Sequence, residues 1–247
     1  MKFLFLSFFL LSSTAQARVF NIQKETFAAY FLASGGASAI GTKALDGEAG
    51  ATLSYGGNVN YNYSGEFGFL YSVRYLNFRF GFEILKPSAL DSTANNGTDD
   101  LYSADSQILG YVPKVGLEVN LQSTNTYRSF VSASAGLANV TLKNAYTLTT
   151  AGQTAFPGVA DHTAESKGTA TSLQASLGYE GVLSDTTTIL VEFGYRQLKI
   201  DNLKYTKDVT TFSGAKSSGD AVLTSTGEQR ELDFSGGFIS LGFRFYM

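Results

Sequence analysis

The sequence predicts an all-β fold, a closed antiparallel up-and-down barrel of eight strands, and three observations point to it. Apolar residues alternate with small, polar or charged ones, in phase, over segments of membrane-crossing length. Short and long connections alternate between those segments. An export signature precedes them all.

That signature opens with Lys2, continues through the apolar run Phe3 to Leu11, and ends in Ala15-Gln16-Ala17, the small-x-small pattern cut by a signal peptidase. We therefore expect residues 1–17 to be a cleaved signal peptide and residues 18–247 to form the barrel domain. The apolar run is about half the roughly 20 residues that a membrane helix needs, so helical anchoring is not expected. Cys is absent, which excludes disulfides and lipidation of an N-terminal cysteine. Twenty-six Gly, 20 Phe and 14 Tyr against three Pro favour strands over helices. A net charge of −3 with dispersed Lys and Arg lacks the basic footprint of a nucleic-acid binder.

The first segment, Thr26 to Ile40, is small and apolar on both faces. In the second, Tyr55, Val59, Tyr61, Tyr63, Phe67, Phe69 and Tyr71 alternate with Asn58, Asn60, Asn62, Ser64, Glu66 and Gly68. The third, Asn77 to Leu85, sends Phe78, Phe80, Phe82 and Ile84 outward and Arg79, Gly81 and Glu83 inward. In the fourth, Ile108 to Leu121, Tyr111, Val115, Leu117 and Val119 oppose Lys114, Gly116, Glu118 and Asn120. The fifth, Phe130 to Leu142, sets Val131, Ala133, Ala135 and Leu137 against Ser132, Ser134 and Gly136. The sixth, Thr169 to Leu183, opposes Leu173, Ala175, Leu177 and Tyr179 to Ser172, Gln174, Ser176, Gly178 and Glu180. The seventh, Thr186 to Lys199, opposes Ile189, Val191, Phe193 and Tyr195 to Glu192, Gly194 and Arg196. The last, Gly237 to Met247, carries Ile239, Leu241, Phe243 and Phe245 on one face and Ser240, Gly242 and Arg244 on the other. Each alternation has the dyad period of a strand with one lipid-facing side.

The connections run medium (Gly41–Gly50), short (Ser72–Leu76), long (Lys86–Gln107), short (Gln122–Ser129), long (Lys143–Gly168), short (Ser184–Asp185) and long (Asp201–Glu231). Barrels that cross the outer membrane alternate short periplasmic turns with long outer loops in this way, which places both termini in the periplasm. The tracts Asp91 to Asp100 and Phe212 to Asp220 carry the Ser, Asn, Asp and Gly expected of loops.

Parity adds detail. Outward residues are odd on both sides of Ser184-Asp185, so a strict two-residue turn is disfavoured and three or five residues, or a bulge, are expected. Around Arg74-Tyr75 the outward set switches parity, which permits a two- or four-residue turn and places Glu66 opposite Glu83. Like charges so placed need a cation nearby. The inferred lumen holds Glu66, Glu83, Glu118, Glu180 and Glu192 with Arg79, Lys114, Arg196 and Arg244, five carboxylates against four bases. An eight-stranded lumen is only wide enough for side chains, so these groups should interlock as a salt-bridge network and plug it.

The alternating segments, the loop asymmetry and the C-terminal Phe243-Arg244-Phe245-Tyr246-Met247 resemble the small outer-membrane barrel superfamily that includes the transmembrane domain of outer membrane protein A and outer membrane proteins X and W. The resemblance covers the mature chain and rests on architecture. It implies residence in the outer membrane of a Gram-negative bacterium after Sec export, contact with outer-membrane lipid and lipopolysaccharide, and biogenesis through periplasmic chaperones and the barrel-assembly machinery. The family usually closes on a terminal Phe, and this chain places Met247 there.

Chemistry-bearing motifs are sparse. His162, the sole His, falls in a long loop, where a solvated role is expected, with Ser166 only nominally available as the Ser that a resemblance to outer-membrane palmitoyl-transferases would require. Neither G-x-S-x-G nor a phosphate loop nor zinc spacing is present, and no catalytic, cofactor-binding or metal-binding residue is assigned. Asp91, Asp99, Asp100 and Asp105 read as a solvated acidic loop, since the spacing of a calcium loop is missing. Tyr71, Tyr111, Tyr179 and Tyr195 suit either an interfacial girdle or cross-strand packing, as does Tyr55. The expected function is non-enzymatic: a structural and surface-interaction scaffold whose outer loops take a surface ligand. The alternatives are a porin-like or lateral channel for small solutes, and a lipid-modifying enzyme.

Overall fold

The computed structural model describes residues 20–38, 40, 51–55, 61–87 and 90–247. The expected signal peptide, the Gly41–Gly50 connection and the alternation at Asn58, Val59 and Asn60 lie outside the described residues.

Eight strands form the ring: β1 (Phe27–Ala37), β2 (Tyr61–Val73), β3 (Leu76–Pro87), β4 (Asp100–Ser123), β5 (Tyr127–Leu148), β6 (His162–Val182), β7 (Thr187–Gln197) and β8 (Gly236–Tyr246). Each pairs antiparallel with its neighbours in sequence, and β8 returns to β1 with Phe243 opposite Phe31. Closure removes the two free edges that an open sheet would present. Pro113 lacks an N–H, and the β4–β5 ladder is interrupted there, between Tyr111 and Lys114.

The parity arguments hold at both turns. Val73 pairs with Leu76 around a two-residue turn in which Arg74 takes φ 55°, a left-handed value uncommon for a residue with a Cβ. Val182 pairs with Thr188, leaving five residues between the last partners. Glu66 lies directly opposite Glu83. Phe20 to Thr26 pack at the short-turn end, where Ile22 N–H donates to Asn125 O, and Met247 N–H donates to Phe27 O at that same end.

Outside, Phe31, Phe67, Phe69, Phe80, Leu177 and Phe193 are each about half exposed, part of an apolar belt around the ring. Inside, the layers differ in chemistry. Reading β4 toward the short-turn end, its buried column passes Tyr102, Ala104, Ser106 and Val112 before reaching Lys114 and Glu118. The upper half of the lumen is thus an apolar core of Leu85, Val112, Val140, Leu142, Leu198 and Phe234, joined by Ile200, Leu203, Val222 and Leu232 from above. The lower half is ionic.

The expected long loops are corrected in part, because strands run on past the belt. Leu90–Asn95 pairs with the top of β4, so the tract from Asp91 is a hairpin turning at Asn96–Asp99 instead of a loop. β5 continues to Leu148, a short helix spans Thr150–Ala155, and β6 starts at His162. Phe212 and Ser213 form the tip of a small hairpin, Val209–Thr211 with Gly214–Lys216. The physical reason is a reversal of hydropathy. Above the belt, Ser103, Asp105 and Gln107 face water while Tyr102 and Ala104 face in, the pattern of a soluble sheet. We call this upper structure the crown.

Candidate functional site

The lower lumen brings together all nine charged residues singled out above, each at most 9% exposed. Lys114 sits between the facing carboxylates, 2.5 Å from Glu66 Oε2 and 3.1 Å from Glu83 Oε2. Glu83 also receives Arg196. Arg79 reaches Glu192 at 2.8 Å and both Glu66 and Glu118 at 3.2 Å. Arg244 spans Glu118 at 2.5 Å and Glu180 at 2.6 Å. These pairs share members, so they form one continuous lattice from one side of the lumen to the other.

The count of four bases is corrected to five, because Arg128 joins the lattice with its Nε 2.6 Å from Glu180. Five carboxylates then meet five cations. Arg128 lies in a stretch read as turn, but β5 begins at Tyr127, and Arg128 is two residues before inward Phe130, so strand parity would have found it. Tyr30 and Tyr246 were missed as well. Tyr30 donates to Glu66 at 2.6 Å, from a strand whose faces the sequence leaves unassigned. Tyr246 donates to Glu180 at 2.8 Å and accepts from Arg128 at 2.7 Å. Its parity matches Arg244, which is the signal for it.

Neutral groups complete the coordination. Gln174 accepts from Lys114 at 2.9 Å and donates to Glu83 at 3.1 Å, and Asn77 donates to Glu118 at 3.1 Å. Charges buried in this way are tolerated only when paired and hydrogen-bonded, and here every carboxylate meets at least one cation. Tyr30, Phe130 and Phe238 place their rings against Arg79, Arg244 and Arg196.

In the crown, His162 is packed instead of solvated, its ring 5.0 Å from Tyr146 and 5.1 Å from Phe212. Ser166 faces inward on the same strand four residues below. At about 3.3 Å per residue that separates their Cα atoms by roughly 13 Å. Asp91 and Asp105 face each other across the hairpin, both exposed, and Asp99 and Asp100 lie at its tip. Tyr71, Tyr111, Tyr179 and Tyr195 are exposed on the outer wall, where Tyr127 stacks on Tyr179 at 5.8 Å.

No family model matches the chain, and no curated protein matches it. Among solved structures it is similar to the outer membrane protein OprG from Pseudomonas aeruginosa, with 10% identity and a TM-score of 0.44 over 93% of this chain and 99% of that one. It is similar to Neisserial surface protein A (NspA), with 11% identity and a TM-score of 0.40 over 89% and 99% of the two chains. It is also similar to Ail, the attachment invasion locus protein of Yersinia pestis, with 10% identity and a TM-score of 0.41 over 90% and 99%. The chain is a closed ring of eight antiparallel strands with an apolar belt outside and a charged lower lumen, the geometry of a small up-and-down barrel.

Proposed function

We propose that the chain spans the outer membrane of a Gram-negative bacterium as a closed, non-enzymatic scaffold that presents its crown for surface interaction. The observation that carries this reading is the double seal of the lumen: a charge-balanced ion lattice below and an apolar core above. A conducting pore needs a continuous wetted path, and both layers oppose one.

The outer wall supports the membrane placement. On β4 the outward column from Leu109 to Leu121, at about 3.3 Å per residue and a tilt near 40°, reaches about 30 Å along the normal, a bilayer's hydrocarbon thickness. Outer-membrane lipid and lipopolysaccharide are the partners such a belt fits, and the chaperones and assembly machinery of the periplasm follow from that location. The separation of His162 from Ser166 exceeds the hydrogen-bond reach of a base and nucleophile, which supports a non-enzymatic role.

Planar-bilayer recording of the refolded protein tests the reading. We expect no stable openings above leak for the wild type, and none for Arg79→Gln or Glu83→Gln, because the apolar layer stays in place. Stable single-channel openings of the wild-type protein would overturn it.

A further inference from the structure

Above the apolar layer, a cavity of about 230 Å³ lies between β5, β6 and the segment from 201 to 231. Asn144 and Tyr146 enter it from β5, His162 from β6, and Phe212, Lys216 and Arg230 from the segment. Tyr146 pairs directly with His162 in the ladder. The cavity therefore has a wall on the barrel itself.

Three polar atoms there are buried without a partner: Asn144 Oδ1, His162 Nε2 and Arg230 Nε. Asn144 is 3% exposed and Arg230 5%. The other ends of these side chains are committed. Asn144 Nδ2 donates to Tyr146 at 3.2 Å, and an Arg230 terminal nitrogen donates to Leu223 O at 3.4 Å. His162 Nδ1 lies 2.9 Å from Ala160 O, a carbonyl that can only accept, so in the neutral ring Nε2 presents a lone pair. Buried polar groups in folded proteins are nearly always satisfied by protein, water or ligand, so three unsatisfied atoms around one cavity point to a polar occupant.

Their chemistry specifies that ligand. Among the described residues no Asp or Glu lines the cavity and no ion pair involves Arg230 or Lys216, so the site presents two cations suited to an anion. Asn144 Oδ1 can only accept, so the ligand must also carry a donor such as a hydroxyl, a group that suits His162 Nε2 as well. Tyr146 and Phe212 add apolar wall to the cavity beside its carbon skeleton. The volume is below the range that drug-sized ligands occupy, which limits the occupant to one small ring.

We propose that this cavity binds a single acidic sugar residue, with its carboxylate or phosphate on Arg230 and Lys216 and its hydroxyls donating to Asn144 and His162. The inference deepens the scaffold reading by naming what the crown takes, and it rests on the crown facing outward. The test is made in detergent micelles, where the site is accessible whichever side it faces. Its failure is thus separate from a failure of the closed-lumen reading, which bilayer recording decides.

Saturation-transfer NMR and calorimetric titration of the refolded protein with glucuronate, glucose 6-phosphate and neutral glucose provide the measurement. We expect saturable binding of both acids and at least tenfold weaker binding of glucose. Arg230→Gln should weaken glucuronate at least tenfold. Lys216→Gln, at a half-buried hairpin position whose loss leaves the crown packing intact, should weaken it severalfold. Absence of saturable binding, equal affinity for glucose, or affinity unchanged in both variants overturns the proposal. Competition by a lipopolysaccharide core oligosaccharide then identifies the source: displacement of glucuronate assigns the site to the envelope's own glycan, and no displacement assigns it to free or foreign sugar acids.

Discussion

Replacing Arg244 with Met is expected to destabilise the barrel by about 3–5 kcal/mol, the usual cost of removing one member of a buried ion pair. Arg244 is 1% exposed and holds Glu118 at 2.5 Å and Glu180 at 2.6 Å. Met fills much of the space beside Phe130, whose ring lies 5.2 Å from the guanidinium, so the loss is chiefly electrostatic. Five carboxylates would then face four cations, and the excess negative charge would lie among fully buried groups. Urea titration in lipid vesicles, read by the heat-modifiable gel band, measures the effect. Pairing Arg244→Met with Glu118→Met restores neutrality and should recover most of the lost stability, since a buried pair exchanged for apolar groups of similar volume is often neutral or stabilising. Arg244→Lys should fall between, because a single ammonium cannot repeat the two-pronged contact. A loss below about 1 kcal/mol for Arg244→Met, the range of exposed pairs, would show that the lattice is open to water.

The lattice explains why so much of this fold is legible in the sequence. A charge in a hydrophobic alternation has only one face on which it can be buried with partners, so Glu66, Arg79, Glu83, Lys114 and Arg244 mark the lumen side of their strands directly. Register follows from the same parity, and the Glu66–Glu83 pair with Lys114 between them is its consequence. What the sequence hides has equally physical causes. Tyr30 sits among Ala, Ser and Gly on a strand with little contrast between faces. Arg128 stands at the start of β5, before the apolar alternation that marks that strand begins, and only parity with inward Phe130 points to it. The crown is hidden because its strands bury apolar side chains inward and show polar ones to water. A search for lipid-facing alternation therefore ends where the crown begins. Arg230 lies in a segment whose only strands are two or three residues long, which gives it no period to read.

The crown's own stability is expected to depend on Phe212. Its ring lies 4.5 Å from Tyr102, 4.9 Å from Phe156, 5.1 Å from His162 and 5.3 Å from Tyr146. Those partners come from β4, the end of the short helix, β6 and β5, whereas Phe212 comes from the small hairpin. It ties the small hairpin to the upper barrel, beside the Leu203 and Val222 packing that holds the rest of the segment. Truncation to Ala removes burial worth about 1.5–3 kcal/mol. A loss of about 2 kcal/mol raises the population of the locally open crown roughly thirtyfold, and proteolysis follows that population when closing outpaces cleavage. We expect trypsin to nick Phe212→Ala at Lys204, Lys207 or Lys216 at least tenfold faster than wild type, with the heat-modifiable band retained because the ion lattice lies far below. Phe212→Tyr keeps the stacking face and should be cut at the wild-type rate. Equal rates for wild type and Phe212→Ala would mean that the segment is held by its backbone contacts to β6, where Thr206 N–H donates to Glu165 O at 2.9 Å, and not by the aromatic cluster.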